Sequence, residues 1–253
     1  MATVPLSKIT AYADRLLRTV KTEDWPGAVN GLQVENNGKI TRLAAAVDAS
    51  WTVLKMAVAA QADLLIVHHG LFWAPSHPWT GKRYAQIKLL LDRNLAVYSS
   101  HLPLDIHPVH GNNAQLCRAL GFKPAEPFFH DRDQWLGIAV HSRVQRQELT
   151  RRLHLATGQK PLVAPFGPEV CRKIGIVTGG AGDQIRLAAS EGIDTLITGE
   201  GPHWSFTAAE ELEVNVFYAG HYATETFGVK SLTQHLAHQF KLPWIFLDNP
   251  TGL

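Results

Sequence analysis

Apolar residues along this chain follow two patterns. Near the N-terminus Leu6, Ile9, Ala13, Leu16, Leu17 and Val20 recur at helical spacing, which predicts an amphipathic helix. Further on they gather into short unbroken runs, near 42–47, 64–67 and 95–99, and again near 172–178, 194–198 and 214–218. Unbroken runs of this length predict strands buried on both faces, as in a sheet covered by helices. The intervening patterns predict helices near 51–61, 81–93, 182–191 and 205–212, then a long helix near 224–239 and a last strand near 243–248. The expected fold class is therefore α/β.

The two sets of strands belong to matching segments. "DLLIVHHGLFW" (63–73) aligns without gaps on "DTLITGEGPHW" (194–204), pairing Asp63 with Asp194, Leu65 with Leu196, Gly70 with Gly201 and Trp73 with Trp204. "VYSSHLPLD" (97–105) aligns on "FYAGHYATE" (217–225), pairing Tyr98 with Tyr218, His101 with His221 and Asp105 with Glu225. Upstream, "RLAAAVDAS" (42–50) faces "RKIGIVTGG" (172–180). The order is the same in both halves, which points to an internal duplication giving two similar α/β lobes. Any two strand–helix–strand units share apolar strands that end in glycine; the common His-x-x-x-acid is what that similarity leaves unexplained. The halves are expected at 1–121 and 122–253, together one compact functional unit. Residues 122–170 carry Pro124, Pro127, Pro161, Pro165 and Pro168, with a strand over "WLGIAVH" and a helix near 145–156. They read as part of the second lobe with its connection.

Composition narrows the classes. At 45% hydrophobic and 18% charged residues the chain can bury a substantial core. No apolar run is long enough to span a membrane, and the N-terminus lacks the apolar centre of a signal peptide, so cytoplasmic residence is expected. Cys117 and Cys171 form no CxxC and are expected to be free buried thiols. A formal charge of +2 speaks against nucleic acid as a partner, and "RRLH" (151–154) reads as a solvated helix face.

The candidate chemistry lies in the histidines. His101 and Asp105 are four residues apart, as are His221 and Glu225, a spacing that puts both side chains on one helix face. Pro103 confines the first pair to a loop or first helical turn, whereas Thr224 is placed to cap the helix that carries the second. His68 and His69 end a strand, where successive side chains point to opposite faces. They can serve one site only where the backbone bends, which Gly70 permits, or two ions on either side of the strand end. Imidazole with carboxylate suits Zn, Mn, Fe, Co or Ni, and the near absence of cysteine argues against a thiolate site. Six candidate ligands, His68, His69, His101, Asp105, His221 and Glu225, are too many for one catalytic ion with an open position and sufficient for two divalent metal ions. His130, His141, His154, His235 and His238 read as ordinary surface or core residues, and so, with less contrast, do His77, His107 and His110.

At these residues the sequence resembles the Nif3-like, or GTP cyclohydrolase I type 2-like, dinuclear metal-centre proteins. The matching stretches are "NGLQVE" (30–35), "LLIVHHGLFW" (64–73), "SSHLPLDIHPVHGNN" (99–113), "DTLITGEGPHW" (194–204) and "AGHYATETFGVKSL" (219–232), which span nearly the whole chain. The resemblance implies two similar α/β lobes with two divalent metals between them, and a toroidal homohexamer whose metal sites face an interior cavity. It implies His68, His69, Asp105, His221 and Glu225 as ligands, and His101 as a ligand or the immediate neighbour of one.

A dinuclear site suits hydrolysis, whether attack on a purine ring or on a phosphoester. The catalytic candidates are Glu225, Glu200, His203 and Asp48, for general acid–base work or for orienting ligands. Asp48 has a second reading, as the cap of the helix beginning near Trp51. Trp73 and Trp204 read as wall or core residues in preference to base-stacking platforms. No phosphate-binding glycine loop is present. The leading expectation is a metal-dependent hydrolase of a small nucleotide-like substrate, with ring opening of GTP as the named case. The alternatives are a metal-binding regulatory scaffold and a phosphoesterase or nuclease. Where the first half has His68 and His69, the second has Gly199 and Glu200, which suggests room for substrate beside Glu200.

Overall fold

The computed structural model describes residues 3–73, 77–123 and 126–253, so Pro124 lies outside the described residues. The chain forms two units, Met1–Leu104 with Gly228–Asn249, and Asp105–Phe227 with Pro250–Leu253. A cut at 121/122 divides the sequence once, whereas packing gives 105–121 to the second unit and returns 228–249 to the first. The return has a plain cause: Val229, Leu232 and Leu236 are fully buried in the first unit's core.

In chain order the first unit holds β1 (Val4–Pro5), α1 (Leu6–Leu17), β2 (Gly31–Val34), β3 (Lys39–Ile40), β4 (Leu43–Asp48), α2 (Trp51–Ala59), β5 (Leu64–His69), α3 (Lys82–Asp92) and β6 (Ala96–Ser99). The single turn α4 (Leu102–Asp105) follows. The second unit holds α5 (Asn112–Ala119), β7 (Glu126–Asp131), β8 (Gln134–Gln145), α6 (Arg146–Thr157), β9 (Leu162–Pro165), β10 (Val170–Ile176), α7 (Ile185–Ser190), β11 (Thr195–Thr198), α8 (Trp204–Glu211) and β12 (Asn215–Tyr218). Helix α9 (His221–Phe240) and strand β13 (Trp244–Phe246) complete the chain.

The first unit's main sheet runs β13-β4-β5-β6-β2, with β13, β4, β5 and β6 parallel and β2 antiparallel at the edge. Alternate residues of its strands enter different cores. Leu43, Ala45, Leu64, Ile66 and Tyr98 pack with Leu6, Ile9 and Ala13 of α1 and with α9. Ala44, Ala46, Leu65, Val67 and Val97 pack with Val53, Leu54 and Ala57 of α2 and Leu90 of α3. Both faces are covered by helices, which is why these strands read as continuous apolar runs. Each buried Leu or Ile contributes about 1.5–3 kcal/mol relative to exposure.

The second unit's sheet runs β7-β8-β10-β11-β12-β9. Its parallel strands β10, β11 and β12 repeat the order of β4, β5 and β6, and β9 joins β12 antiparallel as β2 joins β6. The two α/β units thus share a topology, as the internal repeat predicts. Val140, Ile174, Ile176, Ile197 and Phe217 form a core with Leu116 and Cys117 of α5, Leu120 just past it, and Leu149 and Leu153 of α6. Cys117 and Cys171 are free and buried, and burial pushes the Cys117 thiol up to about 11 and the Cys171 thiol up as well. Arg151 and Arg152 both pair with Glu148, the solvated helix face read from "RRLH".

Local differences from expectation have local causes. Helix α1 stops before Val20, because Arg18 turns left-handed at φ 55°, and Val20 is 97% exposed. Thr224 does not cap α9, which begins three residues earlier at His221; its hydroxyl donates to the His221 carbonyl and accepts from the Gly179 amide. Asp48 does not cap α2 either: Ser50 does, accepting from the Val53 amide at 3.3 Å. Edge strands β2, β7 and β9 escaped the apolar-run pattern because they are only partly buried. Among the described residues no helix is long and apolar enough to cross a membrane.

Candidate metal centre

The first unit gathers three imidazoles where β5 and β6 end. Register pairs Val67 with Ser99 and Asp48 with His69, so residues just past these strands meet at one level. His68, His69 and His101 each offer a ligating atom, and these atoms lie within 4.8 Å of one another. Ring centroids stand 4.8 Å (His68–His69), 4.9 Å (His68–His101) and 5.7 Å (His69–His101) apart. Although consecutive, His68 and His69 therefore serve one cluster, because the strand is ending there.

Each ring is held at Nδ1 by an oxygen. His68 Nδ1 lies 2.9 Å from the Ser100 carbonyl, His69 Nδ1 2.8 Å from Asp48 Oδ1, and His101 Nδ1 2.7 Å from Asp24 Oδ1. A carbonyl oxygen only accepts, so His68 donates from Nδ1–H, and the tautomer this selects carries its lone pair on Nε2. The carboxylates impose the same tautomer on the other two. An imidazole fixed in this way, by carbonyl or carboxylate, is the arrangement a metal-ligating histidine uses. The residues thus fit a divalent ion by donor type, tautomer and spacing.

Asp24 is itself organised for this task. Its Oδ2 accepts from Asn30 Nδ2 at 2.7 Å and from the Leu102 amide at 3.0 Å, and Asn30 Oδ1 accepts from the His101 amide at 2.7 Å. Burial raises the Asp24 pKa, but the bond to and charge of His101, with Asn30 and the Trp25 amide, lower it more, and the net shift is downward. Trp73 closes one flank, edge-on to His101 at 5.1 Å and to His69 at 5.9 Å.

The second unit holds the other ligand candidates. Asp105, at the end of α4, is buried; its Oδ1 accepts from Asn112 Nδ2 at 2.7 Å and from the Thr178 hydroxyl at 3.4 Å. Pro103 sits in the first turn of α4, where a missing N–H costs nothing. His221 and Glu225 are one turn apart on α9, with His221 Nε2 3.2 Å from Glu225 Oε1 and His221 Nδ1 2.8 Å from Glu200 Oε1. Burial lowers the His221 pKa, yet the two carboxylates outweigh it and hold the ring at about 9. Gly179 lies against Glu225 at φ 70°, and a Cβ there would run into Glu225 Oε1.

Glu200 therefore pairs with His221 while its own side chain stays partly open to solvent. A Cβ on Gly199 would lie 2.6 Å from the Gly179 carbonyl oxygen and 2.7 Å from the His221 Cα. A side chain at position 199, the counterpart of His68, would therefore meet backbone. His203 is exposed at the start of α8 and makes no side-chain hydrogen bond with Glu200, His221 or Glu225 among the described residues. Trp73 and Trp204 are 36% and 47% exposed, so neither is a core residue. Sequence reasoning missed Asp24, Asn112, Thr178 and Asn113, whose Oδ1 accepts from the Thr178 amide at 2.9 Å. Asn112 and Asn113 lie within "SSHLPLDIHPVHGNN"; Asp24, 77 residues from His101, carries no local signal.

Comparisons with known proteins place the chain among relatives of one family. A family model described as Duf34/NIF3 (NGG1p interacting factor 3) matches residues 4–251. A Deinococcus radiodurans protein named GTP cyclohydrolase 1 type 2 homolog is 40% identical over 228 residues, covering 89% of this chain and 87% of its own. A Pseudomonas aeruginosa protein of the same name is 36% identical, with 98% of each chain covered. The crystal structure of TTHA1606 from Thermus thermophilus is similar at a TM-score of 0.90 and 36% identity, covering 99% of this chain and 100% of that one. Reduced HcgD from Methanocaldococcus jannaschii follows at 0.85 and 28%, covering 98% and 100%.

Proposed function

This chain belongs to the Duf34/NIF3 family, and from that premise we propose that it is a metal-dependent hydrolase of a small nucleotide-like molecule, with two divalent ions per chain. The observation that carries the reading is the cluster of three imidazoles, each held at Nδ1 by an oxygen and each presenting Nε2. Asp105, His221 and Glu225 add the donors that bring the set to six, enough for two ions that keep open positions. Imidazole with carboxylate suits Zn, Mn, Fe, Co or Ni. Bound divalent ions supply Lewis acidity and a water that is nucleophilic at neutral pH.

The chain's own residues supply orientation and proton handling. Asp24 and Asp48 fix the rings of His101 and His69. Glu200, at 2.8 Å from His221 Nδ1 and partly open to solvent, holds a proton between the two groups and can pass it to or from a reacting atom. Ring opening of GTP is the named candidate reaction, supported by the names of the relatives alone. A homohexamer acting in the cytoplasm belongs to the same proposal.

The test is turnover by protein loaded with Mn, Zn or Fe, measured on GTP and on a panel of phosphoesters. Formate release that needs both metal and Glu225, and is lost in Glu225→Gln, supports the cyclohydrolase. Phosphate release with the same dependence makes it a phosphoesterase. Full metal occupancy with no turnover on the panel makes it a binding scaffold.

A further inference from the structure

In the first unit a cleft of about 380 Å³ is lined among others by Val29, Phe72, Trp73, His77, Trp79 and Arg83, of which Trp73 also flanks His69 and His101. We propose that it is a binding pocket for a flat heteroaromatic ligand that carries a negative charge. The inference builds on the hydrolase reading only for what happens to such a ligand; its binding needs no metal.

The walls argue for the flat ring. Phe72 and Trp79 meet nearly at right angles, 75° between planes at 5.4 Å, and make an aromatic corner. Trp73 forms a further wall, its indole N–H already committed to the Gly70 carbonyl at 3.1 Å, so the pocket sees ring and not donor. These groups are not core: Trp73, Trp79 and Val29 are 36%, 44% and 46% exposed. Large apolar groups left this open around one cleft mark a binding surface, whereas scattered single ones do not. The volume falls at the low end of the range of small-molecule pockets, roughly 300–1,000 Å³.

Arg83 argues for the charge. It lines the same cleft, is only partly exposed, and makes no ion pair among the described residues. A planar guanidinium can stack beside an aromatic ligand and bond an anionic group through two N–H donors. Trp73 then links recognition to chemistry, because it also stands 5.1 Å from the His101 ring and 5.9 Å from His69. Trp73 is thus shared by the cleft and the histidine cluster.

The experiment is a titration of the chelator-treated protein, followed by quenching of tryptophan fluorescence. The probes are GMP, which is flat and anionic, guanosine, flat and neutral, and ribose 5-phosphate, anionic and not flat. Saturable quenching by GMP, weaker binding of guanosine and none of ribose 5-phosphate is the expected order. Trp79→Ala should weaken GMP by about tenfold or more, the loss that removal of a stacking ring produces. Arg83→Gln should reduce GMP to the affinity of guanosine. Both side chains are at least partly exposed, so both variants should keep the wild-type circular-dichroism melt. Absence of saturable GMP binding, or unchanged affinity in both variants, overturns the pocket. Metal-dependent turnover that persists without such binding overturns the pocket alone, and GMP binding by a protein that takes up no metal overturns the hydrolase alone.

Discussion

His101 Nδ1 lies 2.7 Å from Oδ1 of Asp24, a buried carboxylate 77 residues earlier in the chain. The pair fixes the imidazole tautomer, and Asp24 is in turn held by Asn30 and by the Leu102 amide. Asp24→Asn keeps the shape and removes the charge. We expect it to weaken divalent-ion binding by about 10- to 100-fold, the usual cost of losing such a partner. Competition with a fluorescent chelator measures this, and wild-type affinity in the variant would remove Asp24 from the metal argument.

His69 is expected to be indispensable for metal, whereas His154, on the α6 helix, is not. Elemental analysis after reconstitution should give about two ions per chain for wild type and His154→Ala, and clearly fewer for His69→Ala. Wild-type protein that never exceeds one ion per chain would sink the dinuclear reading.

Metal uptake should release a proton. In the metal-free protein His221 sits at about 9, since Glu225 and Glu200 outweigh the effect of burial, so it is charged at neutral pH and must lose its proton to bind an ion. Affinity should rise with pH from 7 towards 9, and Glu200→Gln should flatten that rise by lowering the His221 pKa. Calorimetry in buffers of different ionisation heat counts the protons. The same shift sets a stability trend without metal: the folded pKa is raised above 6.5, so the contribution is complete below about 6.5 and is lost as pH climbs through about 9.

Gly179→Ala tests the support of Glu225. At φ 70° an alanine is strained, by about 1–3 kcal/mol, and its Cβ would also displace Glu225 Oε1. Gly192→Ala is the matched comparison, at φ 76° with nothing within 4 Å. Both should melt at lower temperature, and only Gly179→Ala should also bind metal more weakly. Equal metal affinity in the two variants would disprove the proposed contact.

Much of this architecture is legible along the chain. The parallel strands announce themselves as continuous apolar runs, since helices cover both faces and leave no polar side to alternate. The repeat of β4–β5–β6 in β10–β11–β12 is visible because it copies local patterns. The metal candidates follow from spacing: one helical turn from His221 to Glu225, and a strand end at His68 and His69. What only the tertiary structure decided is which oxygen holds which imidazole. Asp24 reaches His101, Asp48 orients His69, the first of the two roles its position allowed, and Glu200 pairs with His221. Those pairings depend on which strand ends lie side by side, and strand order is set by long-range burial, which leaves no mark on the residues next to Asp24, Asp48 or Glu200.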